Sequence, residues 1–556
     1  MIAAGPSIAW AQAAPDAGAL QKQIEQQQLQ NRFPQKAERR PIPPPPPPLK
    51  SLGRATVIIR TFHFTGNTLL TVEQLADAVT SFTDRPISFI DLQDAAVAAA
   101  EAYRKKGWIV RAYLPQQQIT DDAVTIHIVE AQFGSVRMET ESKRISARRL
   151  TRAVESSQTH GEPVSSDALD RALLLIDDLP GIRATGRLIE GQGRAETDLL
   201  LAVVDAPLMT YDMSADNAGA RSTGAARFVV NTSLNSPFRL GDRASALLLH
   251  SRGGDYARGA YSLPVGDRGA RIGVNTSHFA YDIVTAEFEA LAASGTSTSG
   301  GVEASYPLLR ARARNLYVVF TGDDRRFENK TLGQVTTQYS VQAVSFGIYG
   351  NLFDAFAGGG SNSASATLTQ GKVNLDGSPS EAADALTTRI AGSYRKLNFS
   401  IARQQAVTRH LSAYASLSGQ MASKNLDSSE KFYLGGSSGV RAYPTNEGGG
   451  SQGLLASLEA RVRLPASFNA TGFVDWGSVR INKDNDFAGA AALNQDSLKG
   501  AGFSVGWKSA FGLSLQLAVA HRIGSNPIPA STGKDQDGSL DKNRYWLQGS
   551  LQPGNY

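Results

Sequence analysis

The chain has 556 residues, a formal net charge of +5 and no cysteine, so it holds roughly three or four ordinary domains and excludes a disulfide framework or a thiolate metal site. The mild, dispersed basic balance, with a pI near 9.1, gives no footprint for nucleic acid. No apolar run reaches the roughly 18 residues of a membrane helix, yet a mean hydropathy of -0.23 is what a transmembrane barrel averages to when apolar lipid-facing and polar lumen-facing residues alternate.

Ala11-Gln12-Ala13, ahead of Ala14-Pro15, reads as a signal-peptidase site, and residues 1–13, which lack a basic leader, read as the remnant of an export signal. Residues 14–37 read as a polar helix with Leu20, Ile24 and Leu29 set among glutamines. Its apolar stripe is too thin to anchor in a core, which leaves a water-filled cavity or bulk solvent as its place. Residues 38–53, with Pro41 and Pro43 through Pro48, form a stiff polyproline spacer between mobile parts.

Two compact α+β units follow, over 54–132 and 133–207. In the first, Val57 to Phe64 is a strand, and Thr71 caps a helix with Gln74 at the capping-box spacing. An alanine-rich helix from Leu92 to Lys106 ends at Gly107, and strands Trp108–Leu114 and Val124–Glu130 close the unit. The same order recurs as strand Phe133–Glu139, helices Ala147–Glu155 and Ser166–Asp177, and strands Arg183–Ile189 and Thr197–Val204.

After Pro207 the helical pattern stops. Sixteen strands are expected near 208–217, 224–235, 242–251, 256–264, 269–281, 296–308, 313–326, 336–351, 361–371, 390–404, 408–421, 453–463, 467–479, 499–510, 512–522 and 543–552. Tyr211, Tyr261, Tyr281, Tyr306 and Tyr317 stand near strand ends, as an interfacial girdle would. Connections at 235–241, 464–466 and 510–512 are short, whereas 371–390, 422–452, 479–499 and 522–543 are long and rich in Gly, Ser, Asp and Asn. Short turns on one rim and long loops on the other mark an antiparallel transmembrane barrel rather than a soluble sandwich.

Gly435-Gly436-Ser437-Ser438-Gly439 fits the nucleophile-elbow expression, but no helix follows Ser437, and His410 and His521 lie on predicted strands without a companion acid. The seven histidines show no metal spacing and no nucleotide fingerprint occurs, so neither an enzyme nor a cofactor is expected. The informative pair is Arg441, in the long glycine-rich loop, and Asp475, at lumen-facing parity with Phe473 and Gly477. Val440 and Tyr443 flank the arginine, and Phe473 and Trp476 flank the aspartate. A guanidinium and a carboxylate so placed can close bidentately inside the barrel as an internal lock.

With these residues on the page, the chain resembles the outer-membrane transporters of two-partner secretion, the TpsB family of the POTRA–barrel superfamily. Val440-Arg441-Ala442-Tyr443 matches the loop motif Val-Arg-Gly-Tyr, and Phe473, Asp475 and Gly477 match the strand motif Phe-x-Asp-x-Gly. Ala442 departs from the motif glycine, so a tip needing positive φ would be strained there; Pro553-Gly554 interrupts the end of the last strand. The resemblance implies two POTRA domains, a sixteen-stranded antiparallel outer-membrane barrel over 208–556 with loop 422–452 in its lumen, and a plug helix over 14–37. It implies a Gram-negative outer membrane, with the POTRA domains in the periplasm. As partners it implies a large unfolded exoprotein, outer-membrane lipid, periplasmic chaperones and the barrel-assembly machinery, and no nucleic acid. Transport would run without ATP. The alternatives are a POTRA–barrel insertase for other barrels, a passive porin with periplasmic adaptors, and an outer-membrane hydrolase.

Overall fold

The computed structural model describes residues 16–29 and 56–552, except 194, 491, 528, 531 and 532. The signal remnant, the polyproline spacer and the Pro553-Gly554 ending lie outside the described residues.

Helix α1 (Ala17–Leu29) is followed by the first α+β unit. That unit contains β1 (Thr56–Ile58), β2 (Thr61–Thr65), α2 (Val72–Val79), β3 (Pro86–Ser88), α3 (Phe89–Lys105), β4 (Val110–Tyr113) and β5 (Ala123–Glu130). Thr71 and Gln74 form the expected capping box, and Gly107 ends α3 in the left-handed region that favours glycine, at φ of +84°. Helix α3 starts earlier than the apolar pattern suggests because Ser88 and Asp91 make a second capping box. The single first strand expected from Val57 to Phe64 is in fact two. It breaks at Ile59-Arg60, and β1 leaves the sheet to pair with β3. The main sheet has the order β2–β5–β4 with β2 parallel to β5.

The second unit repeats the scheme with β6 (Gln132–Met138), α4 (Ala147–Glu155), α5 (Ser166–Asp177), β7 (Ile182–Glu190) and β8 (Glu196–Asp205), in the order β6–β8–β7. The units join through backbone: Ile109 N–H donates to Val164 O, Val164 N–H to Ala131 O, and Ser166 N–H to Gly107 O. A joint of main-chain bonds restricts rotation between the units.

The remaining strands close into one antiparallel barrel of sixteen. They are β9 (Met209–Asp216), β10 (Arg227–Asn235), β11 (Arg243–Ser251), β12 (Gly254–Val265), β13 (Ala270–Asp282), β14 (Ser294–Arg310), β15 (Arg314–Thr331), β16 (Gln334–Asp354), β17 (Gly360–Asn374), β18 (Gly392–Ala406) and β19 (Leu411–Ala422). After the two-residue strands β20 (Phe432–Tyr433) and β21 (Gly449–Gly450) come β22 (Gln452–Arg463), β23 (Phe468–Arg480), β24 (Gln495–Lys508), β25 (Leu513–Arg522) and β26 (Asn543–Leu551). Each of the sixteen expected strands has its counterpart, and β20 pairs only with β21 inside the loop.

One rim carries turns of 236–242, 266–269, 311–313, 355–359, 407–410, 464–467 and 509–512. The opposite rim carries the long loops, but 252–253 and 332–333 there are tight hairpins, so the sorting of connections is less strict than the sequence suggests. Alternation places Val474 outward at 51% exposure beside Phe473 at 4%. Among the tyrosines, Tyr281 and Tyr317 do not belong to an outer girdle. Tyr281 packs inside on Phe279 and donates to Asn329, and Tyr317 stacks on Tyr349. A shift of one residue moves a side chain to the other face, and sequence boundaries are not that sharp.

The second α+β unit sits on the short-turn rim. Asp178 takes two bonds of 2.8 Å from Arg310, and Asp170 takes bonds of 2.7 and 2.6 Å from Arg312. Arg171 reaches Pro307 O at 3.0 Å.

Glu130 ties the first unit together, accepting from Thr68 N at 2.7 Å, Leu69 N at 2.9 Å, Tyr103 Oη at 2.8 Å and the Thr68 hydroxyl. Desolvation pushes its carboxyl up, but these donors outweigh it and hold the pKa below the ordinary glutamate value. A depressed pKa contributes stability that is present above the unfolded-state value and is lost as pH falls through the folded one. Glu130→Gln is therefore expected to speed hydrogen exchange at the Thr68 and Leu69 amides by about tenfold at neutral pH. The gap should close on acidification below the pKa; equal exchange in both proteins at neutral pH would contradict this.

Candidate functional site inside the barrel

The connection 423–451 turns inward rather than away from the rim, and its glycines shape the fold-back. Gly436 has φ of +114°, and a Cβ on Gly439 would sit 2.0 Å from Leu434 O. Val440 N–H donates to Leu434 O at 2.7 Å and Gly436 N–H to Tyr443 O at 3.2 Å, so 434–443 is a tight tip. Leu434, Val440, Ala442 and Tyr443 are buried against Phe473, Val479, Leu498 and Ala520 of the wall. Gly477 is small for this reason. A Cβ there would lie 2.8 Å from Leu434 Cδ2 and 3.2 Å from Val440 Cγ2.

The tip delivers Arg441 to Asp475. Nη2 donates to Oδ1 at 2.7 Å, Nε to Oδ2 at 2.8 Å, and the Arg441 backbone N–H to Oδ2 at 3.1 Å. Ser457 donates to Oδ1 at 2.8 Å while accepting from Nη2 at 3.0 Å. Nη1 reaches Glu459 Oε1 at 2.9 Å, and Glu459 in turn holds Arg461 at 2.7 Å. Two guanidiniums thus balance two carboxylates. The Arg441 guanidinium also lies 3.5 Å from the Phe473 ring centroid, a contact worth about 2 kcal/mol when desolvated. The Asp475 side chain is 1% exposed, and stripping its partner from a buried carboxylate costs about 3–5 kcal/mol.

Arg441, Asp475, Val440, Tyr443, Phe473 and Gly477 are all brought together. Trp476 is not, because it points to the opposite face of β23. The strain expected at Ala442 is absent: its φ is not positive. Its methyl is accommodated across the wall by Gly500, the register partner of Asp475, where a Cβ would fall 2.5 Å from Ala442 Cβ. Sequence reasoning missed Ser457, Glu459, Gly500 and Trp546. The indole of Trp546, on the last strand, donates to Arg441 O at 2.8 Å. Ser457 and Glu459 share the lumen parity of Asp475 through the pairings Ser457↔Asp475 and Glu459↔Phe473, and register was the missing signal.

Helix α1 occupies the lumen. Leu20 and Ile24 are buried with Tyr256, Phe279, Tyr281, Phe327 and Tyr339, so the thin stripe does have a core to join, formed by the wall itself. The Leu29 side chain lies outside the described positions. Gln23 donates to Ala218 O at 2.9 Å, the same carbonyl that accepts from Thr445 of the loop at 3.1 Å. A cavity of about 650 Å³ remains beside the tip, bordered by Tyr349, Asn398, Ser416, Arg441 and Arg461.

Two small α+β modules docked on a closed sixteen-stranded barrel define an outer-membrane transporter of the POTRA–barrel class. The family model described as haemolysin secretion/activation protein ShlB/FhaC/HecB matches residues 195–508, more than half of the chain, and the ShlB-type POTRA domain matches 57–131. The chain belongs to this family, the outer-membrane transporters of two-partner secretion. It is 25% identical over 552 residues to the heme/hemopexin transporter protein HuxB of Haemophilus influenzae, across 96% of this chain and 94% of that one. Outer membrane transporter CdiB of Dickeya dadantii strain 3937 is 20% identical over 490 residues, across 84% and 86%. The solved structure of CdiB from Escherichia coli shares the fold at a TM-score of 0.69 and 17% identity, covering 97% of this chain and 99% of its own.

Two substitutions probe the tip. Gly477→Val should displace it, costing about 1–3 kcal/mol of packing, and should raise conductance in planar bilayers. Gly472→Val, whose Cβ meets nothing within 4 Å, should not; equal conductance in the two variants would count against the packing argument. Gly500→Ala should likewise destabilise the tip by about 1–3 kcal/mol, and Ala442→Gly in the same chain should restore it. A double mutant no better than Gly500→Ala alone would rule out the steric link.

Proposed function

We propose that this transporter secretes a large exoprotein that reaches it unfolded from the periplasm. The POTRA domains lie in the periplasm, and the edge strands β2 and β4 in the first and β7 in the second offer backbone hydrogen bonds to an extended client strand with little demand on its sequence. Helix α1 is the resting plug, and the loop tip is the gate. The plug leaves when the client arrives, the Arg441–Asp475 lock opens, and the chain passes outward extended. Folding at the cell surface prevents its return, so no ATP is needed. Periplasmic chaperones keep the client open, and the barrel-assembly machinery inserts the transporter. The likeness to HuxB favours a heme- or hemopexin-binding exoprotein as the cargo.

The observation that carries this reading is that the lumen is filled by two separately tethered pieces. The loop is held by ion pairs at Arg441 and Glu430 with a small apolar contact at its tip, and the helix rests on Leu20, Ile24 and glutamine hydrogen bonds; none of these belongs to the strand ladder, so both pieces can be withdrawn without unfolding the wall. An insertase is the second reading. It is favoured by the seam between β26 and β9, which pairs at only four positions where β9 and β10 pair at eight. Asn217 offsets that weakness. Its backbone N–H donates to Leu547 O at 3.2 Å, its side-chain amide donates to Tyr545 O at 2.9 Å, and its Oδ1 accepts from Leu547 N at 2.8 Å, which lengthens the seam by one backbone and two side-chain bonds.

Arg441→Ala and Asp475→Ala are each expected to abolish secretion of the cognate exoprotein while leaving the barrel assembled and heat-modifiable. Arg441→Lys, which keeps charge but loses the fork, should secrete weakly. Near-normal secretion by both well-expressed alanine variants would reject the lock.

A further inference from the structure

The loop is anchored to the wall at a second place, nearer the long-loop rim. Ser428–Glu430 forms a short turn, capped when Asp427 accepts from Ser429 N at 3.0 Å. It carries Glu430 into the lumen, where the side chain is 2% exposed. Its carboxylate meets Lys396 Nζ of β18 at 2.6 Å and the Arg325 guanidinium of β15. Its backbone carbonyl accepts from Lys396 at 3.2 Å and from Gln420 at 2.9 Å, and Gln420 also bonds to Ser451 O at 3.1 Å, on the returning limb. One loop carboxylate therefore pairs with two buried wall cations, and the Glu430–Gln420–Ser451 bonds fix both limbs.

The same turn makes the seat of α1. Ser428 Oγ donates to Asp16 Oδ1 at 2.7 Å, and Asp16 caps the helix by accepting from Ala19 N at 2.8 Å. Gly18 is pressed against this turn: a Cβ would lie 2.6 Å from Ser428 Oγ and 3.0 Å from Ser429 N. Tyr339 of the wall donates to Asp427 at 3.1 Å from the other side. Lys22 and Glu25 of the helix act electrostatically on the Arg325–Glu430–Lys396 cluster.

We infer that Glu430 is a positioning residue for transport: through Arg325 and Lys396 it holds the turn on which the plug helix rests, so the plug is seated by the loop's second anchor and not by the Arg441–Asp475 lock. The inference rests on the reading of α1 as a plug. It orders the events, since freeing Glu430 unseats helix and loop limb together, whereas freeing Arg441 releases only the tip. Withdrawing Glu430 also leaves two lumen cations exposed to entering water, which hydrates them and lowers the cost of staying open.

The chain has no cysteine, so Gln26→Cys adds a unique thiol on α1, beside a cavity of about 200 Å³ between helix and loop. Labelling of this thiol by a membrane-impermeant maleimide is measured on the full chain in liposomes. Glu430→Gln should raise the labelling rate by about tenfold, the scale of a lost charge-assisted bond. Ser428→Ala should raise it several-fold, and Arg441→Ala should leave it at the parent rate. Parent-rate labelling of an assembled, heat-modifiable Glu430→Gln barrel would overturn the inference. So would exposure by Arg441→Ala equal to that by Glu430→Gln. If Glu430→Gln fails to assemble, Lys396→Met, which keeps the Arg325 pair, and Ser428→Ala decide the matter by the same criterion. Labelling needs no secretion, so failure of the transport reading and failure of this inference are read separately.

Discussion

A carboxylate buried on the inner wall of a barrel must be neutralised, and the wall around Asp475 does not do so alone. Ser457 supplies one hydroxyl, but the positive charge arrives on a loop from the far rim. That requirement holds the loop inside the lumen, because with the tip withdrawn Glu459 keeps its pair with Arg461 while Asp475 loses both bonds from the Arg441 guanidinium. The rest of the site follows from bringing Arg441 to that point. The tip needs glycines to turn, Gly477 and Gly500 make room for Leu434, Val440 and Ala442, and Phe473 lies under the guanidinium.

The barrel supports this because its two faces answer to different solvents. Outward side chains of β23, such as Val474, meet lipid, while inward ones alternate among aromatic, charged and glycine positions. A polar interior would ordinarily be hydrated. Here α1 and the loop replace much of that water with side-chain partners: Gln21 accepts from Ser297, Gln23 donates to Ala218 O, and Asp16 accepts from Ser428. A glutamine-rich helix suits such a place, since each of its polar contacts replaces a bond to water at a modest net difference.

The two docked modules have a different character. Their cores are closed and apolar, they share backbone bonds at their joint, and the second is fastened to the short-turn rim by Arg310 and Arg312.

Much of this was legible in the chain itself. Period-two alternation marked all sixteen barrel strands, capping residues marked α2 and the end of α3, and the spacing of Arg441 and Asp475 pointed to a contact. Those are local signals, set by backbone geometry and side-chain direction over a few residues. What only the tertiary structure decided was register and partner choice. Gly500 faces Ala442, Trp546 holds the Arg441 carbonyl, Tyr281 turns inward, and Glu430 meets Arg325 across 105 residues of sequence. Such contacts depend on which strands lie opposite once the barrel is closed and filled, and no local pattern encodes that.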